Sequence, residues 1–156
     1  MPDLNKTALL VIDVQKAIDA TYHAAIGARN NPDAESNIAR LLAVWCMTGR
    51  PIIHVRHDST VPTSAYRPGH IGNEFKEEVA PQPGELIVVK RTNSAFIGTD
   101  LERHLRAAGL QRLVVTGVNT NNSVEATVRM CGNLGFQTYL VADACFTFAR
   151  RDFVAA

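Results

Sequence analysis

The sequence predicts a parallel α/β sheet layered between helices, a three-layer sandwich, and three observations point there. The runs Thr7-Ala-Leu-Leu-Val-Ile12 and Leu113-Val-Val115 are apolar without polar alternation, as expected of strands covered on both faces. Strand patterns alternate with helical ones, which favours parallel pairing with right-handed crossovers. Asp13, Lys90 and Ser123 each fall just past the carboxyl end of a predicted strand, where open sheets of this kind bind their ligands.

In chain order, the first strand ends in Asp13, an acid that is costly to bury unless partnered and so either paired structurally or catalytic. Asn31-Pro32 with Asp33 and Glu35 reads as a cap, a proline at the first helical position and an acidic first turn. Ile38, Leu41, Leu42 and Trp45 give that helix its core stripe, and Gly49 stops it. Pro51–Arg56 is the next strand. Residues 57–84 form a long proline- and glycine-rich connection, a length that suggests a functional loop or an interface. Glu85–Val89 is a strand ending at Lys90, and Thr99-Asp-Leu-Glu102 matches a capping box for a helix that Gly109 ends.

The central stretch is Arg112–Arg129, a buried strand that breaks at Gly117 and restarts as a helix near Asn122. Thr120, Asn121 and Asn122 are good N-cap types, while Val124, Val128 and Cys131 follow at helical spacing up to Gly135. Ser123 then sits in the first turn, where unpaired N–H groups and the helix dipole favour negative charge. It reads either as a capping residue or as a group beside a developing oxyanion. Gln137–Ala142, followed by Asp143, is the last strand.

Sixteen basic residues against fifteen acidic ones, with no run of either sign, leave no footprint for nucleic acid or an anionic membrane. No apolar run approaches the roughly 18 residues of a membrane span, and the start lacks the regions of a signal peptide, so a cytosolic single domain over 1–156 is expected. Cys46, Cys131 and Cys145, odd in number and in apolar contexts, suit reduced core thiols. His57 and His70 are the candidate metal ligands of the long loop, but two loop histidines fall short of a site, and no metal or cofactor is expected.

With Leu-Leu-Val-Ile-Asp13-Val-Gln15, Lys90-Arg-Thr-Asn-Ser-Ala-Phe96, Gly117-Val-Asn-Thr-Asn-Asn-Ser123-Val and Leu-Val-Ala-Asp143, the chain resembles the isochorismatase-like (cysteine) hydrolases over nearly its whole length. The resemblance implies a Rossmann-like, six-stranded fold and a cis peptide before Asn119. It also implies an Asp-Lys-Cys site in which Asp13 is the base, Lys90 its cation, and the N–H groups of Asn119 and Ser123 the oxyanion hole. Gln15, Asn93 and Phe96 would line the pocket, although Phe96 equally suits core packing. The substrate would be a small amide or carbamoyl compound, and the assembly a homo-oligomer, dimer or tetramer.

Ser123 stands where that family places cysteine. A serine hydroxyl needs a stronger base than a thiol of reference pKa about 8.5, which closes the usual thioester route. The serine is then either a replacement that traps an intermediate or native to a weak esterase or amidase, an enzyme using Asp13 on water or substrate, or a binder without turnover. The family's Asp-x-His metal pair is not matched by Arg56-His57-Asp58-Ser59, and the family's C-terminal helix and edge strand are expected to be shortened.

Overall fold

At the centre of the sheet is β1, Thr7–Ile12, in which every residue is buried. It pairs in parallel with β2 (Ile52–His57) on one side and β4 (Arg112–Val118) on the other. β3 (Leu86–Lys90) extends the sheet beyond β2, and β5 (Gln137–Phe146) extends it beyond β4, both parallel. The order β3-β2-β1-β4-β5 means that the chain builds outward from β1 in one direction and then crosses back to start again at β4. That reversal puts a switch point, the usual ligand crevice, between the carboxyl ends of β1 and β4. The computed structural model describes residues 6–19, 25 and 27–149. Five strands lie among these, one fewer than the resemblance implies.

The pleat of β1 divides the core. Ala8, Leu10 and Ile12 face helices α2 (Leu101–Ala107) and α3 (Glu125–Asn133), whereas Leu9 and Val11 face α1 (Ala34–Met47). Burying each of the larger side chains stabilises by roughly 2 kcal/mol, so the middle strand anchors both layers. Cover thins toward the edges. Ile87 and Val89 of β3, and Tyr139 and Leu140 of β5, remain exposed, so the outer strands are not covered on both faces as the central ones are. No helix among the described residues is long and apolar enough to cross a membrane.

Local signals were met in most places and overridden in a few. α3 ends as expected, with Gly135 at φ 82° and the Phe136 N–H bonded to the Cys131 carbonyl at 2.9 Å. α1, by contrast, begins at Ala34 with Asp33 as a cap that makes no side-chain bond, so Pro32 precedes the first turn. The cause is Asn31, which takes φ 44° and donates its amide to the carbonyls of Ala142 and Cys145 at 2.8 and 2.7 Å, tying the helix entry to β5. The capping box at 99–102 does not form. Asp100 is the cap position, Thr99 bonds the Ala95 carbonyl, and Glu102 pairs with Arg106 instead. β5 runs on to Phe146, past the expected end, through an irregularity opposite Val115–Gly117. Cys46 is exposed, unlike the buried Cys131 and Cys145.

Gly117 does not break β4. The strand continues through Val118, and glycine is required because a Cβ at this φ of 126° would stand 2.2 Å from the Ile12 carbonyl oxygen. The absent side chain lets β4 close on β1 beside Asp13. The break follows, at a cis peptide between Val118 and Asn119.

Candidate active site

Asp13 leaves the end of β1 at φ 55°, its N–H held by the Val55 carbonyl at 2.9 Å. This turns its carboxylate across the sheet top toward Lys90, the last residue of β3. Oδ2 meets Lys90 Nζ at 2.7 Å, and both side chains are almost wholly buried. Nζ also donates to the Thr92 carbonyl at 3.0 Å and to Ser123 Oγ at 3.4 Å. Asp13 Oδ1 is buried and has no hydrogen-bond partner among the described residues. Burial pushes the Asp13 carboxyl above its ordinary value, and the opposing pull of Lys90 and the Ser123 hydroxyl does not cancel it.

Ser123 is buried in a single π turn, Thr120–Val124, that leads directly into α3. The Asn119 carbonyl closes the turn by accepting from the N–H groups of Asn122 and Val124 at 3.1 and 3.2 Å. Helical structure therefore begins where the sequence places it, but its first turn is wide rather than α. Wide turns of this kind recur at functional sites. Val118, Asn119, Asn122 and Ser123 form one wall of a cleft of about 570 Å³ with Asp13 at its floor.

The opposite wall comes from the long 57–84 connection through His57, Ser59, Val61, Thr63 and Tyr66. This segment carries only short 3₁₀ turns at Ile71–Asn73 and Glu77–Val79, and two amides tie it down. The Gln15 amide accepts from the His57 N–H at 2.8 Å and donates to the carbonyls of His57 and Asn73 at 3.0 and 2.9 Å. Asn73 in turn donates to the His57 and Tyr66 carbonyls and to Asp58. Gln15 is thus fully buried and spent on backbone, so it fixes the loop instead of lining the pocket. Phe96 also stands outside the cleft, packed in the core against Phe136 with ring centroids 6.0 Å apart. Asn93, the third expected lining residue, does line it.

His57, which the sequence offers only as a metal ligand, is a cleft residue, its ring edge-on to Tyr66. Burial, reinforced by Lys90, lowers its pKa, so the imidazole is neutral at pH 7. Its position at the end of β2, in register with Lys90, is the signal that could have found it. Tyr66 had no such signal, because a turn deep in the loop returns it to the cleft. His70 is engaged locally, accepting from the Gly72 N–H at 3.0 Å. Among the described residues no three His, Cys, Asp or Glu side chains converge as metal ligands. Cys131 and Cys145 have their thiols pushed up by burial to about 11 and about 12, far from a reactive thiolate.

Fold and cleft together define an α/β enzyme scaffold with its pocket at the switch point of a parallel sheet. Residues 7–156 match the isochorismatase domain, and the chain belongs to that family, whose members are hydrolases. It is 44% identical over 147 residues to the isochorismatase family protein YrdC of Bacillus subtilis, covering 94% of this chain and 77% of that protein. The ureidoacrylate amidohydrolase RutB of Variovorax paradoxus is 27% identical over 173 residues, covering 88% of this chain and 68% of the relative. The crystal structure of an isochorismatase-family protein from Chromobacterium violaceum superposes with a TM-score of 0.92 at 55% identity, over 97% of this chain and 77% of that one.

Proposed function

We propose that the chain hydrolyses a C–N bond of a small amide or carbamoyl compound, with Asp13 as base and Ser123 at the position of attack. The observation that carries this reading is the meeting of Asp13, Lys90 and Ser123 at the turn that leads into α3, with Asp13 and Ser123 lining the cleft and Lys90 beneath it. The name of the Variovorax relative, an amidohydrolase, favours the same bond type.

In the proposed sequence Ser123 Oγ adds to the substrate carbonyl while its proton passes to Asp13. The backbone N–H groups of Asn119 and Ser123, with the dipole of α3 behind them, stabilise the oxyanion. Collapse breaks the C–N bond, and the amine departs with the proton from Asp13. Water then adds to the acyl carbon and gives its proton to Asp13, which returns it to Oγ as the acid leaves. A carboxyl raised above its ordinary value is a better proton acceptor than a solvated one, and Lys90 keeps it ionised enough to act.

A second reading has one observation in its favour. Ser123 Oγ is bonded to the Lys90 ammonium, whereas Asp13 Oδ1 has no hydrogen-bond partner, an arrangement that suits Asp13 acting directly on water. Three forms separate the two: the present chain, Ser123→Ala and Ser123→Cys, assayed for ammonia release from small amides. If Oγ is the nucleophile, alanine abolishes turnover and cysteine raises it by about two orders of magnitude, the lower range of a base's contribution, which an ionisable thiol no longer requires. Turnover retained in Ser123→Ala would transfer the reaction to Asp13 and water. The proposal also takes the protein as a cytosolic dimer or tetramer that covers its exposed edge residues, which sedimentation would test.

A further inference from the structure

The charge of the cleft narrows the substrate within the hydrolase reading just given, on which this inference rests. Among the described residues no lysine or arginine lines the cleft. The cation beneath it, Lys90, has three ammonium hydrogens, and three acceptors take them: Asp13 Oδ2, the Thr92 carbonyl and Ser123 Oγ. None is left for an external anion. The rest of the lining is hydroxyl, amide or small apolar side chains, with Ser59, Thr63, Ser64, Asn93 and Asn122 as its polar members.

We infer that the cleft is built for an uncharged amide and rejects substrates bearing a carboxylate. An incoming carboxylate would lose its water, find no free cation among the described residues, and approach the Asp13 carboxylate at the cleft floor. Desolvation and like-charge contact both oppose it. An amide meets the same groups as partners, because its NH₂ donates to Asp13 or a hydroxyl and its oxygen accepts from the turn at 119–123. His57 and Tyr66 do not alter the balance. Burial lowers the pKa of the first and raises that of the second, leaving both neutral at pH 7. Ureidoacrylate, the compound in the name of the Variovorax relative, carries a carboxylate, so the inference separates this chain from that protein by substrate charge.

Succinamide and succinamate differ only in replacing one amide by a carboxylate of nearly the same shape. Ammonia release at pH 7.5 should give succinamide a kcat/KM at least about tenfold higher, a modest outcome for a like-charge contact. Thr63→Lys, which adds an ammonium to the exposed outer wall, should shrink that ratio. Hydrolysis of succinamate as fast as succinamide would overturn the charge inference while leaving the hydrolase reading in place. If neither compound releases ammonia, the hydrolase reading fails, and calorimetric binding of the same two compounds decides the charge question separately. Tighter binding of succinamide then supports the inference, whereas equal affinities, or binding of neither, overturn it.

Discussion

Asp13 and Glu35 are both buried carboxylates ion-paired to a lysine, yet their environments drive them in opposite directions. Glu35, in the first turn of α1, is opposed by burial but accepts from Arg29 through both oxygens and from Lys76 at 2.9 Å, and these bonds lower its pKa to about 2. Lys76 also reaches Asp19 at 2.9 Å, and the Arg29 guanidinium lies 3.6 Å over the Phe146 ring. Asp13 has one ammonium, the Ser123 hydroxyl, one unpartnered oxygen and almost complete burial, and its pKa goes up. What separates them is the number of donors rather than the presence of a lysine. A carboxylate whose lone pairs are filled is a structural tie, whereas one with an unpartnered oxygen, on a residue that lines a cleft, is suited to move a proton.

Substitutions that remove each charge sharpen the contrast. Asp13→Asn keeps the shape but removes the proton acceptor, and kcat should fall by about 10²–10⁴-fold, the range of a general base. Glu35→Gln should leave kcat/KM unchanged and act on stability instead. The loss should be roughly 2 kcal/mol, below the 3–5 of a fully buried pair because Arg29 is partly exposed, and visible as a Tm lower by about 4–8 °C. Equal effects of the two changes on activity would erase the distinction.

The smallest effect lies in acid. Because the folded Glu35 carboxyl is lowered from 4.5 to about 2, its contribution to stability is present above pH 4.5 and lost as pH falls toward 2. Denaturant unfolding across that window should show the decline in the present chain and a shallower one in Glu35→Gln. The same slope in both would mean that the Arg29–Glu35–Lys76 network is not responsible.

How much of this was legible depends on how far apart the partners are in sequence. Asp13, Lys90 and Ser123 could be named because each follows an apolar strand, and a parallel sheet gathers strand ends at one edge. The resemblance supplied the six-strand expectation and the cis peptide. Glu35 was legible only as a charge at a helix start, since nothing local indicates Lys76 forty-one residues later. Gln15 was placed in the pocket for the same reason. Its amide looks free until the loop from 57 to 73 folds onto it. The course of β5 past Ala142, and with it the displaced start of α1, depends on Asn31 bonding across 111 and 114 residues, which no window of sequence contains.

If Lys90 governs the ionisation of a catalytic Asp13, a pH–rate profile with and without Lys90→Met will show it. Methionine fills the same buried space without the charge. Lys90 is the largest influence holding the Asp13 pKa down, so its loss leaves burial opposed only by the weaker pull of Ser123 and His57 and raises that pKa further. The acidic limb of kcat/KM, measured with one amide in the present chain or in Ser123→Cys, should therefore move to higher pH in the methionine variant. An acidic limb at the same pH in both forms would contradict the account, because the ion pair would then have no part in preparing the base.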